Sequence, residues 1–156
     1  MNRKELEQII NYIVKQGLLA LKNNTDERNV IIDYVAIFSK NANEYQDIES
    51  ILESFGKEVD KKNVKTGRTF LLSEPIKTPA GDLTLVKIRK PDATRPQRGA
   101  PDFKIQNYRQ FKERYLQSSG NFTLMTRKDY EMVELKGIDV LVYIPSQTLS
   151  GRLSVN

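Results

Sequence analysis

Leu6, Ile9, Ile10, Ile13, Val14 and Leu18 recur at three- and four-residue spacing, which predicts an amphipathic helix over residues 3–22. Asn2 is placed to cap it, with Glu5 three residues on as in a capping box. Gly17 thins the last turns, and Asn23-Asn24-Thr25-Asp26 ends the pattern. Residues 30–38, Val-Ile-Ile-Asp-Tyr-Val-Ala-Ile-Phe, are β-branched and aromatic and predict a buried strand. A turn at 41–43 leads to a helix over 44–55, with Tyr45, Ile48, Ile51, Leu52 and Phe55 on one side and Gly56 as its stop. A polar strand at 57–63 and a strand at 68–72 follow. A turn through Pro75 and Pro79-Ala80-Gly81-Asp82 then returns the chain into a strand at 83–89.

The same order then recurs. Residues 101–106 predict a short strand. Residues 108–117 predict a helix with Tyr108, Phe111, Tyr115 and Leu116 on its apolar side, stopped at Ser118-Ser119-Gly120. Strands at 121–126, 130–135 and 138–144 are joined by turns at 127–129 and 136–137. Pro145 ends the last strand, and 146–156 reads as a tail. The chain therefore reads as an N-terminal helical extension (1–29) and two βαβββ units (30–91 and 100–145) within one domain over 30–145. The fold class is α+β.

Composition narrows the chemistry. The 156 residues contain no His, Cys or Trp. Zinc sites, Ser-His-Asp triads and thiol nucleophiles are excluded on that ground. Chemistry falls to Asp, Glu, Lys, Arg, Tyr and the backbone. Residues 1–56 hold six basic and nine acidic side chains, whereas 57–156 hold nineteen and eleven. The basic maximum lies over 87–99, a stretch that reads as a solvated linker or as a clamp for phosphate or carboxylate. No apolar run approaches the roughly 20 residues that span a bilayer, so no membrane partner is expected. The expected address is cytoplasmic.

Three stretches carry a resemblance: Ile32-Asp33-Tyr34-Val35-Ala36-Ile37-Phe38, Leu83-Thr84-Leu85-Val86-Lys87-Ile88-Arg89-Lys90-Pro91 and Arg98-Gly99-Ala100-Pro101-Asp102-Phe103-Lys104-Ile105. With the doubled βαβββ order, they make the chain similar to the vicinal oxygen chelate superfamily, the glyoxalase and bleomycin-resistance fold. Within it the chain resembles the bacterial YecM-type proteins. The resemblance implies a cup formed by two curled sheet halves. In metal-dependent relatives the cup holds an ion. Here the matching positions carry Tyr34, Lys87 and Asp102, and the fourth falls near Leu141 or Tyr143. The ligands are missing, so no metal and no cofactor is expected.

Strand alternation puts Tyr34, Ala36 and Phe38 in the cup with Val35 and Ile37 on the helix side. In the second unit it puts Asp102, Lys104 and Gln106 in the cup with Phe103 and Ile105 behind. Candidate ligand-binding residues are Tyr34, Lys87, Arg89, Asp102 and Tyr143. Arg95 and Arg98 are candidate anion-binding residues at the mouth. Lys87 and Asp102 are expected within ion-pair reach. Glu131 and Glu134 point to opposite faces and, with Asp129, read as surface residues. Tyr108, Phe111 and Tyr115 read as core. The expected function is metal-free binding of a small anionic ligand in the cup. The alternatives are a lyase or isomerase using Lys87 with a carboxylate such as Glu134, and an interaction module for nucleic acid or protein through 87–98. A homodimer is compatible with the sequence.

Overall fold

The computed structural model describes all residues except Ser119 and Asn156. Part of the expected 118–120 helix stop and the last residue of the expected tail therefore lie outside the described residues. In chain order the elements are α1 (Arg3–Asn24), β1 (Ile31–Phe38), α2 (Ala42–Phe55), β2 (Gly56–Val59), β3 (Gly67–Thr78) and β4 (Gly81–Arg89). They continue with β5 (Gly99–Lys104), α3 (Tyr108–Tyr115), β6 (Phe122–Thr126), β7 (Glu131–Lys136), β8 (Leu141–Pro145) and α4 (Leu149–Arg152).

The eight strands form one curled, open mixed sheet in the order β2-β3-β4-β1-β5-β8-β7-β6. Each half is a βαβββ unit whose first strand pairs in parallel with its last: β1 with β4, and β5 with β8. The halves meet where β1 and β5 pair antiparallel. Such a sheet needs both faces managed. The helix-side face carries the main core, where Val35, Ile37, Val86, Ile88, Phe103 and Val133 pack against Leu6, Ile10, Ile13, Val14, Ile48, Leu52 and Phe111. A small second cluster of Ala36, Phe38, Ala100 and Leu141 lies on the other face, flanked by Tyr34 and Tyr143.

Local chemistry fixes the elements. Asn2 accepts from the Glu5 backbone while the Glu5 carboxylate accepts from Asn2, a complete capping box on α1. Asn41 and Asn107 cap α2 and α3, their side chains accepting from the Glu44 and Gln110 N–H groups. Gly17, which the pattern treats as a weak point, is a contact point. A β-carbon there would lie 2.6 Å from the Pro101 ring and 2.9 Å from the Phe103 ring, so glycine lets α1 lie on β5.

Several boundaries differ from the sequence pattern. β3 runs on through Pro75 to Thr78, with a register break between Leu71 and Ile76 that accommodates a residue lacking an N–H. β2 stops at Val59, because Asp60 turns the chain with φ 53°. Gly56 opens β2 in extended backbone rather than ending α2 in a left-handed turn. Pro145 is the last residue of β8 and pairs with Met132. Residues 146–155 do not trail. They return as α4, buried at Leu149, with the Ser150 hydroxyl and N–H donating to the Asp33 carboxylate. The β1–β5 register breaks between Ile32 and Tyr34 and leaves Asp33 out of the ladder, free to receive α4.

Candidate functional site in the cup

The concave face of the sheet encloses a cavity of about 640 Å³. Its floor is built by register. Tyr34 on β1 stands opposite Asp102 on β5, Asp102 opposite Tyr143 on β8, and Tyr143 opposite Glu134 on β7. These four side chains form one polar row across four strands. A neighbouring row starts at Thr69 on β3 and runs through Lys87 on β4 to Ala36 and Ala100. Arg89 closes the β4 side, its guanidinium 5.1 Å from the centre of the Phe38 ring. Loops and α4 supply the rim, with Arg95 from the 91–98 linker, Arg127 and Tyr130 from the β6–β7 turn, and Arg152 stacked 3.9 Å over Tyr130.

The cavity is basic and its charges are unspent. Seven basic and three acidic side chains line it, and among the described residues none of those seven joins an ion pair. Lys87 makes one long hydrogen bond, 3.4 Å, to the Asn63 carbonyl. Burial lowers its ammonium below the ordinary lysine range, and Arg89 adds to that. Asp102 is 4% exposed, and among the described residues no donor or cation reaches its carboxyl. Burial raises it well above the usual carboxylate range, reinforced by Asp33 and opposed by Arg152. Burial likewise raises the Tyr34 hydroxyl, with Asp102 contributing. Tyr143 donates to Glu134 at 2.9 Å and is pushed up to about 12 by burial and that carboxylate.

Six of the seven residues singled out from the sequence line this cavity: Tyr34, Lys87, Arg89, Arg95, Asp102 and Tyr143. Arg98 does not. It is buried, donating to both Glu44 carboxylate oxygens at 2.8 and 3.2 Å and to the Phe38 carbonyl at 2.9 Å. It ties the linker to α2 and β1 and is no anion clamp. The expected Lys87–Asp102 ion pair is also absent. Lys87 stands opposite Ala36 and Asp102 opposite Tyr34, two strands and two residues apart, beyond ion-pair reach. Lys104 and Gln106 border a separate groove near α4 rather than the cup.

Glu134 corrects the surface assignment. It is 8% exposed and faces Tyr143, whereas Glu131 on the opposite face pairs with Lys112 and accepts from Tyr108. Its alternation with Met132 was the available signal. Arg152 and Tyr130 carried none, because they reach the cup through a returning tail and a turn. A wider cleft of about 1020 Å³ lies between the start of α1 and the 91–98 linker. Its one buried cation, Arg98, is already paired with Glu44.

The positions that the resemblance matches to metal ligands hold Tyr34, Lys87, Asp102 and, for the fourth, Leu141 or Tyr143. A carboxyl that burial raises well above the usual carboxylate range, an ammonium and phenols do not fit a divalent cation. Among the described residues no group of three or more acidic side chains is placed to hold one, and no helix is long and apolar enough to cross a membrane.

No family model matches the chain, and no curated protein matches it. A solved structure described as "Structural Genomics, Protein EC4020" is similar over 96% of this chain and 92% of its own, with a TM-score of 0.70 at 10% identity. That likeness concerns the fold.

Proposed function

We propose that the protein is a glyoxalase-like, metal-free member of the vicinal oxygen chelate class that binds a small organic anion in its cup. The observation that carries this reading is the set of seven basic side chains around one cavity with no carboxylate partner. Unpaired cations around a concave site gather field and favour an anion. The doubled βαβββ topology and the position of Tyr34, Lys87, Asp102 and Tyr143 on the floor support the family reading. The cavity volume is within the usual range for small-molecule sites, and three of the lining basic groups, Lys87, Arg89 and Arg95, are only partly exposed. A concave pocket of that size suits a small molecule better than a polymer backbone, which favours a ligand over nucleic acid.

The test is calorimetry of the purified protein with short mono- and dicarboxylates and phosphate esters, alongside mass spectrometry of what co-purifies. Binding of an anion that Arg89→Ala and Arg95→Ala each weaken by about tenfold supports the reading. Tight binding of single-stranded nucleic acid, with no small anion bound, overturns it.

A further inference from the structure

We propose that the outer face of α1 and the turn between β7 and β8 form a docking surface for an anionic lipid bilayer. Ile138 and Leu19 enter the interface, and Lys15, Lys22 and Lys136 meet the headgroups. This surface is separate from the cup and independent of the anion-binding reading. The expectation of no membrane partner rested on the lack of a spanning run, and lying on a bilayer needs no span.

Three of the six large apolar side chains that stand exposed among the described residues gather here: Ile138 at 72%, Leu19 at 43% and Tyr12 at 40%. Scattered singly, such residues are ordinary; gathered, they mark a contact. Tyr12 and Leu19 are two helical turns apart and share one line along α1. The β7–β8 turn lies beside that line. The Tyr12 hydroxyl donates to the Asp139 carboxylate at 3.0 Å, and a β-carbon at Gly137 would lie 3.0 Å from that of Ala20. Ile138, between Gly137 and Asp139, therefore stands next to the α1 stripe. The turn is held in place. The Arg98 N–H is shared between the Asp139 carbonyl at 2.8 Å and its carboxylate at 3.1 Å, and the Gly137 N–H donates to the Val140 carbonyl at 3.0 Å. An isoleucine presented on an ordered turn gives up little freedom when it is buried.

Charge decides what covers the patch. Lys15 lies three residues past Tyr12 and four before Leu19, Lys22 three past Leu19, and Lys136 two before Ile138. All three are exposed, and among the described residues none of them joins an ion pair. From Gln8 to Asn24 the helix carries no acidic side chain. Asp139, the acid in the turn, is already held by Tyr12 and the Arg98 N–H. A second copy of the chain would set lysines against lysines, whereas an anionic surface complements them. Ile138 projects from a turn rather than lining a groove, which suits insertion at a bilayer surface better than reception of a partner's helix. Lysine stems can lie along the apolar layer with their ammonium groups at the headgroups, where each adds about fivefold to affinity. A tyrosine ring with its hydroxyl outward fits the same depth. α1 covers the helix side of the sheet, so a docked molecule keeps the mouth of its cup open.

The chain has no tryptophan, so Ile138→Trp places a fluorescent reporter at the tip of the turn without background. That variant is mixed with vesicles of phosphatidylcholine holding about 30% phosphatidylglycerol, and with phosphatidylcholine alone. The anionic vesicles should sediment it at least about tenfold more tightly than the neutral ones and shift its emission to the blue, and high salt should release it. In the otherwise native chain, Leu19→Asp and the pair Lys15→Glu, Lys22→Glu should each weaken sedimentation about tenfold or more, with the circular dichroism spectrum unchanged. Ile31→Asp, at an isoleucine that is 57% exposed but away from the patch, should change nothing. If no vesicle binds, the inference falls. If anionic vesicles bind without moving the emission, the basic cup is what attracts them and the inference falls as well. It also falls if light scattering shows the native protein to be a dimer that Ile138→Asp splits, because a second copy then covers the patch.

Discussion

Asp102 and Lys87 each bear a cost of burial in the ligand-free protein. For Asp102 the folded carboxyl ionises above its unfolded value. Its penalty is therefore absent below about pH 4, grows as the unfolded chain loses its proton, and levels off above the folded value. Asp102→Asn should thus raise stability at pH 7 by about 1–3 kcal/mol and flatten the decline of stability above pH 4, read by urea unfolding across pH. Lys87→Met should be neutral or stabilising, since no carboxylate loses a partner. Because the two side chains do not touch, their effects should add to within about 0.5 kcal/mol. Coupling of several kcal/mol in the cycle would show a pair that the register forbids. Arg98 behaves in the opposite sense. Burial works against the Glu44 carboxylate, yet Arg98 and the Lys40 N–H hold it below the ordinary glutamate range. This contribution is present above about pH 4 and is lost as pH falls through the lowered value. Arg98→Ala strands both Glu44 and the Phe38 carbonyl and should cost about 3 kcal/mol.

At the scale of elements, α1 and α4 show where the sequence was legible. The α1 stripe and its Asn2–Glu5 box were plain, because local spacing and capping chemistry depend on neighbours in the chain. The faces of β1 and β5 were readable too, since Val35, Ile37 and Phe103 alternate with Tyr34, Ala36 and Asp102 under a period of two. What was hidden depends on distant contacts. Gly17 looked like a weak point in the last turns because nothing nearby reveals the Pro101 and Phe103 rings it faces. Gly17→Ala should gain helix propensity yet lose about 1–3 kcal/mol by overpacking, visible as a lower urea midpoint. α4 was invisible for the same reason: its anchor, Asp33, lies over a hundred residues away at a register break. Removing residues 148–156 should leave the sheet folded, by circular dichroism, but weaken anion binding in the cup, since Arg152 leaves the rim and Leu149 uncovers the floor.

At the scale of the whole molecule, the site exists only because the halves are joined. Tyr34, Lys87 and Arg89 come from the first unit, Asp102, Tyr143 and Glu134 from the second, and Arg95 from the linker between them. Anion affinity should accordingly follow the field of the assembled cup. Raising salt from 50 to 500 mM should weaken binding about tenfold, with a smaller effect on any neutral ligand. The expected Lys87–Asp102 pair failed at this scale. The strand faces were right, but the stagger between the two units is set by the β1–β5 pairing, which no local pattern encodes.

That seam also determines how the chain can misassemble. Separated from its partner, each half would expose the edge of its central strand, β1 or β5, and each edge is matched to the other regardless of which chain supplies it. The 91–98 linker, pinned at Arg98, is what makes the intramolecular match closer than an intermolecular one. Deleting residues 91–97 would leave two residues between β4 and β5, at most about 11 Å of chain, too little to pass round the end of β1 that lies between them. The halves should then be exchanged between two chains, giving a dimer with two complete sheets. Size-exclusion chromatography with light scattering should show the shortened chain at twice the mass per particle of the intact protein, with an unchanged circular dichroism spectrum.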